Sequence, residues 1–322
     1  MKIVSLNEGV LDAVTGQIPE LVRLLNLTPD EVSKLKALFK AAYEEELALQ
    51  FRIDKKEVPM TYMAATPHAQ ALTGFFMEKL ITSWEVEGAE NLHEALAFFE
   101  AGGNVIVMSN HTGVVDAPIA AYILLRFLSE TYRMTWIAGK RVWESVLLRM
   151  FALCVDLLTM YGMKYVTSAQ GTTEFQEMRA RNFAMLRFMR RNRSLWFAYP
   201  QGTWNNMGRL TKGEPNAMDL VGALGGENYE NTAVLPAYLS GPEKIIPPIP
   251  GQKKGKDGFH LFLRKPTPGH VDFRFGPMIY GGDLRGSKAR GINIVMCSIA
   301  DLARTQKEMG PYALRYRKNL EL

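Results

Sequence analysis

Cysteine is almost absent from this chain: 322 residues contain only Cys154 and Cys297. Two cysteines in apolar context cannot form a disulfide framework, and they fit a reducing compartment, so cytoplasm or an organelle stroma is the expected setting. Long uncharged runs are missing too. The richest apolar stretch, Ser145 to Met163, carries Arg149 and Asp156 and reads as a buried or interfacial segment. The amino terminus, MKIVSLNEGV, has no signal-peptide core. Together these absences predict a soluble chain whose contact with a membrane is at most peripheral. There is no internal repeat, no Gly-x-Ser-x-Gly elbow and no glycine-rich phosphate loop, which argues against a serine-hydrolase elbow and a P-loop nucleotide site. His68, His93, His260 and His270 are scattered and lack ligand spacing, so neither a metal nor a redox cofactor is expected.

What the chain does have is the composition of a folded protein, 47% hydrophobic and 22% charged, which excludes a disordered or fibrous class. Its length exceeds one typical domain. The 38 basic against 33 acidic residues give a net charge of +5, which leaves an anionic partner open.

The first eighty residues read as helices. Thr28-Pro29-Asp30-Glu31 is a helix start, with Thr28 as N-cap, Pro29 at the first helical position and Glu31 closing a capping box. Val32, Leu35, Phe39, Ala42 and Leu47 follow near a 3.6-residue period, while Glu44 to Glu46 face solvent in part, and Pro59 and Pro67 interrupt the pattern. From about Trp84, β-type runs (105–109, 134–138, 195–199, 233–239, 259–264 and 272–275) alternate with helical stretches (117–128, 143–153 and 174–191). Such alternation predicts an α/β fold, a mixed central sheet flanked by helices, with antiparallel pairing among the late strands. A closing helix is expected over 286–307, and 241–258 has linker composition. The expected division is a small all-helical domain over 1–83 and an α/β domain over 84–322.

The strongest chemical pattern lies at residues 105–116, where a hydrophobic strand delivers Asn110 and His111 to its carboxyl end and Asp116 follows at the start of a helix. Sites form at that end of α/β strands. A carboxylate five residues after a histidine can bend back onto one ring nitrogen and leave the other to take a proton from an alcohol. The same spacing also suits a plain helix start, with Asp116 as N-cap and His111 as a turn residue.

Three further stretches accompany it: Val86-Glu87-Gly88-Ala89 upstream, Tyr199-Pro200-Gln201-Gly202-Thr203 as a strand ending in a glycine turn, and the strand punctuation Val234-Leu235-Pro236 and Phe275-Gly276-Pro277. In this order, over about residues 84–280, the set resembles the glycerol-phosphate acyltransferase family. The layout is most similar to the soluble plastid-type glycerol-3-phosphate acyltransferases, which also carry a helical amino-terminal domain. The resemblance implies transfer of a fatty acyl group from a thioester of coenzyme A or acyl carrier protein to glycerol-3-phosphate, with His111 as base, Asp116 as its orienter and direct attack. It further implies Arg141, Lys164 and Arg209 near the acceptor phosphate, with Gly202 and Thr203 forming the turn beside it. Lys164 also reads simply as a solvated residue at a strand end. The chain departs from the family pattern at Gln201, Trp204 and Asn206, where charged residues are expected. That leaves lysophosphatidate or an unphosphorylated acceptor as an alternative, and a non-catalytic lipid- or carrier-binding protein as another. The arginines 179, 181, 187, 190, 191 and 193 read as a solvated helix face, or as a dock for acyl carrier protein or anionic lipid. No motif for nucleic acid accompanies them.

Overall fold

Thr28 opens the long amino-terminal helix as its sequence predicts. Its amide donates to Glu31 Oε2 at 2.9 Å and its Oγ1 accepts from the Glu31 amide at 3.4 Å, a closed capping box. A computed structural model describes residues 16, 18–54, 62–113, 115–128, 132–139, 142, 150–160, 172–202, 210–226, 229–247, 266–305 and 308–310. Helices α1 (Ile18–Leu25), α2 (Pro29–Asp54) and α3 (Pro67–Leu80) form the amino-terminal region. The buried stripe of α2 runs Leu35, Phe39, Ala42, Glu46. Eleven residues make about three turns, so the position in phase with Leu35 is 46, and Leu47 is left exposed. The sequence had suggested the reverse for these two side chains.

Among the described residues, nine strands form one sheet: β1 (Tyr62–Met63), β2 (Ile81–Glu87), β3 (Asn104–Ser109), β4 (Met134–Gly139), β5 (Asp156–Met160), β6 (Leu195–Ala198), β7 (Thr232–Ser240), β8 (Gly269–Phe275) and β9 (Ile279–Tyr280). Their spatial order is β1-β5-β4-β6-β3-β7-β8-β2, with β9 beside the start of β7. The five strands from β5 to β7 are mutually parallel, and β8 and β9 run antiparallel to β7. The mixed sheet and the antiparallel late strands agree with the sequence reading. The expected boundary at residue 84 falls inside β2, and β1 precedes it, so residues 1–83 include one whole edge strand and the start of the other.

Strand side chains alternate between two cores. Val105, Val107, Leu195, Phe197, Leu235 and Ala237 pack with α2, α3, α4 (Ala89–Glu100) and α5 (Asp116–Phe127). Ile106, Met108, Trp196 and Val234 pack on the other face with α6 (Thr173–Arg191), α7 (Met218–Gly225) and α9 (Lys288–Asp301). The short α8 (Pro242–Ile245) occupies the first residues of the stretch expected to be a linker. The expected strand over 259–264 lies outside the described residues. The closing helix starts at Lys288, two residues later than expected, because Gly286 is left-handed (φ 111°) and Ser287 caps the helix by accepting from the Arg290 amide.

Pro236 sits within β7, a central strand, where a missing N–H would ordinarily break a rung. One side of β7 pairs with β3 throughout this stretch, while the other changes partner from β9 at 233–234 to β8 at 237–240. Pro236 lies at the changeover, and its carbonyl accepts from the Gly276 amide at 2.9 Å. The proline in Val-x-Pro thus stands where no partner strand awaits an N–H.

Candidate active site

Because five strands are parallel, Met160, Gly139, Ala198, Ser109 and Ser240 end along one margin of the sheet. From β3 the chain crosses through α5 to β4 on one side, and from β6 it crosses β3 to β7 on the other. The carboxyl end of β3 is therefore the point where strand order reverses, the place where α/β sheets open a crevice.

Asn110 is fully buried there. Its Nδ2 donates to Leu239 O at 2.8 Å and its Oδ1 accepts from Leu239 N at 2.6 Å. The amide side chain copies a backbone rung and fastens the chain to β7 just before His111. The His111 amide then donates to Gln201 Oε1 at 2.6 Å, and Gln201 Nε2 donates to Thr211 Oγ1 at 2.6 Å.

His111 and Asp116 meet: Nδ1 and Asp116 Oδ2 are 2.9 Å apart. The same oxygen accepts from the amides of Thr112 at 2.6 Å and Gly113 at 2.8 Å. Asp116 is 0% exposed and lies at the amino terminus of α5. It is not the N-cap: that position is Val115, and Asp116 is the first helical residue, its side chain turned back on its own loop. With Nδ1 held by a carboxylate, the imidazole carries its N–H there and its basic lone pair on Nε2. A β-carbon on Gly113 would come within 3.2 Å of Asp116 Oδ1, so the glycine keeps this loop tight around the carboxylate.

Tyr199 lies flat against the imidazole, with ring centroids 4.1 Å apart and planes at 14°. Burial pushes its phenol well above the usual tyrosine value, and the Asp116 charge adds to that. Glu243 of α8 packs near the same carboxylate. Burial raises its pKa and Asp116 adds repulsion, although the Gly241 amide donates to it at 3.1 Å.

Gly202 closes a turn in which its amide donates to Tyr199 O at 2.9 Å, and its φ of 68° suits glycine. Of the expected substrate contacts, Arg141, Lys164, Thr203 and Arg209 lie outside the described residues, as do Trp204 and Asn206. Gly139 and Met160, from which the chain proceeds toward Arg141 and Lys164, end on the same margin as Ser109. Among the arginines of α6, Arg179 stacks near Phe175 and Phe183, Arg187 and Arg190 line a groove, and Arg193, just beyond the helix, reaches Phe99.

Sequence reasoning placed Gln201 among the departures but did not foresee its bond to His111. Tyr199 lay inside the motif without a role. The signal for both was their position one to three residues past a parallel neighbour of the His111 strand. The side chains of Glu85, His270 and Asp272 bring ligand atoms within 4.8 Å of one another, a proximity invisible in the sequence spacing. Both imidazole nitrogens of His270 are already engaged there, by Ser83 and Asp272.

Among the described residues no helix is long and apolar enough to cross a membrane. None of the curated proteins matches the chain. Among solved structures, the chain is similar to the 1-acyl-sn-glycerophosphate (LPA) acyltransferase PlsC from Thermotoga maritima. The two share 15% identity over 74% of this chain and 79% of that one, with a TM-score of 0.43. Residues 83–240 match the family model described as Acyltransferase. The matched segment runs from Ser83 in β2 to Ser240 at the end of β7 and carries His111, Asp116 and the Gly202 turn.

Proposed function

We propose that the chain is an O-acyltransferase that moves a fatty acyl group from a thioester of coenzyme A or acyl carrier protein to a hydroxyl of glycerol-3-phosphate. The observation that carries this reading is the 2.9 Å contact between His111 Nδ1 and the fully buried Asp116, at the switch point of a domain matched to acyltransferases. Nε2 of His111 takes the hydroxyl proton as the oxygen attacks the thioester carbonyl carbon. A C–O bond forms, the tetrahedral intermediate collapses, the C–S bond breaks, and the departing thiolate takes the proton back from His111. The step balances with no metal or redox cofactor. Asp116 holds the ring in the tautomer that the step needs and stabilises the imidazolium.

Arg141, Lys164 and Arg209 are proposed to hold the acceptor phosphate and so fix which hydroxyl faces His111, beside the Gly202–Thr203 turn. A glycerolipid product would place the enzyme at a membrane surface peripherally. The test is turnover of acyl thioesters by His111→Ala, with glycerol-3-phosphate and glycerol as paired acceptors. Activity equal to that of the parent would remove His111 as base. Equal rates with the two acceptors would remove the phosphate roles.

One observation favours a different acceptor with the same chemistry. Gln201 is buried and committed to His111 and Thr211, so this departure from the family pattern is a strut here and not a ligand for phosphate. Faster turnover with lysophosphatidate or an unphosphorylated alcohol would establish that reading.

A further inference from the structure

A groove of about 780 Å³ lies between α6 and α7, capped by the turn before α9. It is remote from His111. Arg187 and Arg190 stand in the last turns of α6, just before β6 begins at Leu195, and Tyr229 stands just before β7 begins at Thr232. The groove therefore opens at the margin where the parallel strands start, opposite the one where His111 sits.

Its floor is apolar, formed by Leu186, Met218 and Leu284 with the ring of Tyr229. Gly222 helps keep it open, since a β-carbon there would come within 2.9 Å of the Tyr229 hydroxyl. Phe183 stands at the lip, 54% exposed. The rim is cationic, and its charges differ in kind. Lys288 pairs with Asp219 at 2.5 Å and Arg285 with Glu230 at 3.5 Å, so these four neutralise one another. Arg187 and Arg190, three residues apart on one helical face, have no ion pair among the described residues. The Arg190 guanidinium lies across Gly226, where a β-carbon would be 3.0 Å from it.

An apolar floor calls for an apolar body, and two guanidinium groups without an ion pair among the described residues call for an anion, which their planar forks bind in pairs of hydrogen bonds. The surface is concave and of small-molecule volume, so it suits a single molecule better than a flat bilayer. We propose that this groove binds an anionic amphiphile, an aliphatic chain ending in a phosphate or carboxylate held by Arg187 and Arg190, at a site separate from the catalytic one. The proposal does not depend on which acceptor the catalytic site uses.

The test is hydrogen exchange on the full chain with dodecyl phosphate, dodecanoate or dodecyltrimethylammonium below their micellar concentrations, and with phosphatidylglycerol vesicles. Protection of segments 180–191 and 218–226 by either anion is expected, and the phosphate and carboxylate arms identify the head group. Protection confined to 105–118 and 195–202 would report the catalytic margin alone and overturn the proposal. Equal protection by the cationic amphiphile would overturn it as well, and protection by vesicles only would show a membrane contact in its place. The double variant Arg187→Gln, Arg190→Gln should bind the anion about tenfold more weakly or worse, with turnover of coenzyme A thioesters unchanged. Unchanged affinity would overturn the assignment. Ala180→Trp, which obstructs the groove without touching a charge, should weaken binding independently.

Discussion

Gln201 holds the backbone of His111 while Asp116 holds its ring. The amide contact is 2.6 Å, the imidazole contact 2.9 Å, and one restraint comes from the turn after β6, the other from the first residue of α5. A base fixed from both sides cannot swing away from its acceptor. Gln201→Ala would remove the acceptor of the half-buried His111 N–H, which costs about 1–3 kcal/mol. We expect kcat to fall on the order of tenfold with little change in KM. Gln201→Glu keeps the acceptor oxygen and should retain most activity.

Asp116→Asn replaces an acceptor of three donors with a group half of which donates. Turnover should fall by roughly 10²–10⁴, the usual worth of general-base assistance, because the imidazole loses its tautomer. Thermal stability should fall as well, since the Thr112 and Gly113 amides lose a charged acceptor. Stopped thioester assays and melting curves measure the two effects separately.

Glu243 supplies a pH dependence whose sign is fixed. Its folded pKa is raised by burial, with Asp116 adding to it, so the folded state binds a proton more tightly than the unfolded chain does. Its contribution to stability is fullest below the unfolded value near 4.5 and is lost as pH rises through the raised folded value. Glu243→Gln should therefore raise the melting temperature at neutral pH, and the gain should vanish in acid. A gain that grew in acid would show the opposite linkage.

Gly88 joins β2 to α4 in the left-handed region, φ 68°, and a β-carbon would fall 2.0 Å from the Phe275 carbonyl oxygen. Gly88→Ala should destabilise the fold by more than ~1 kcal/mol through strain and displacement of that carbonyl. Urea unfolding gives the value.

Much of this was legible in the residues themselves. The alternation of β-type runs such as 105–109 and 233–239 with helical stretches announced a sheet covered on both faces, and the spacing of His111 and Asp116 announced a turn that folds back. What stayed hidden depended on partners far along the chain. β5 escaped notice because Asp156 sits inside an apolar run, and only the fold shows Arg133 pairing with that charge, with the Tyr62 hydroxyl and the Ala65 amide, each at 2.8 Å, also donating to it. Gln201 looked like a departure because its value lies in a contact ninety residues away, which no local period encodes. Glu46 and Leu47 changed places because a long helix accumulates phase, and one residue decides which side chain turns inward.

The two ends of the sheet bear on how the protein behaves in a crowded solution. A sheet edge is a template onto which a second chain can add a strand, unless its length or charge forbids it. Here one end is β1, only two residues long, and the other is β2, which carries Glu85 and Glu87 along its run. Neither offers a long uncharged row of unpaired amides, so growth into strand-paired aggregates is discouraged at both ends of the sheet.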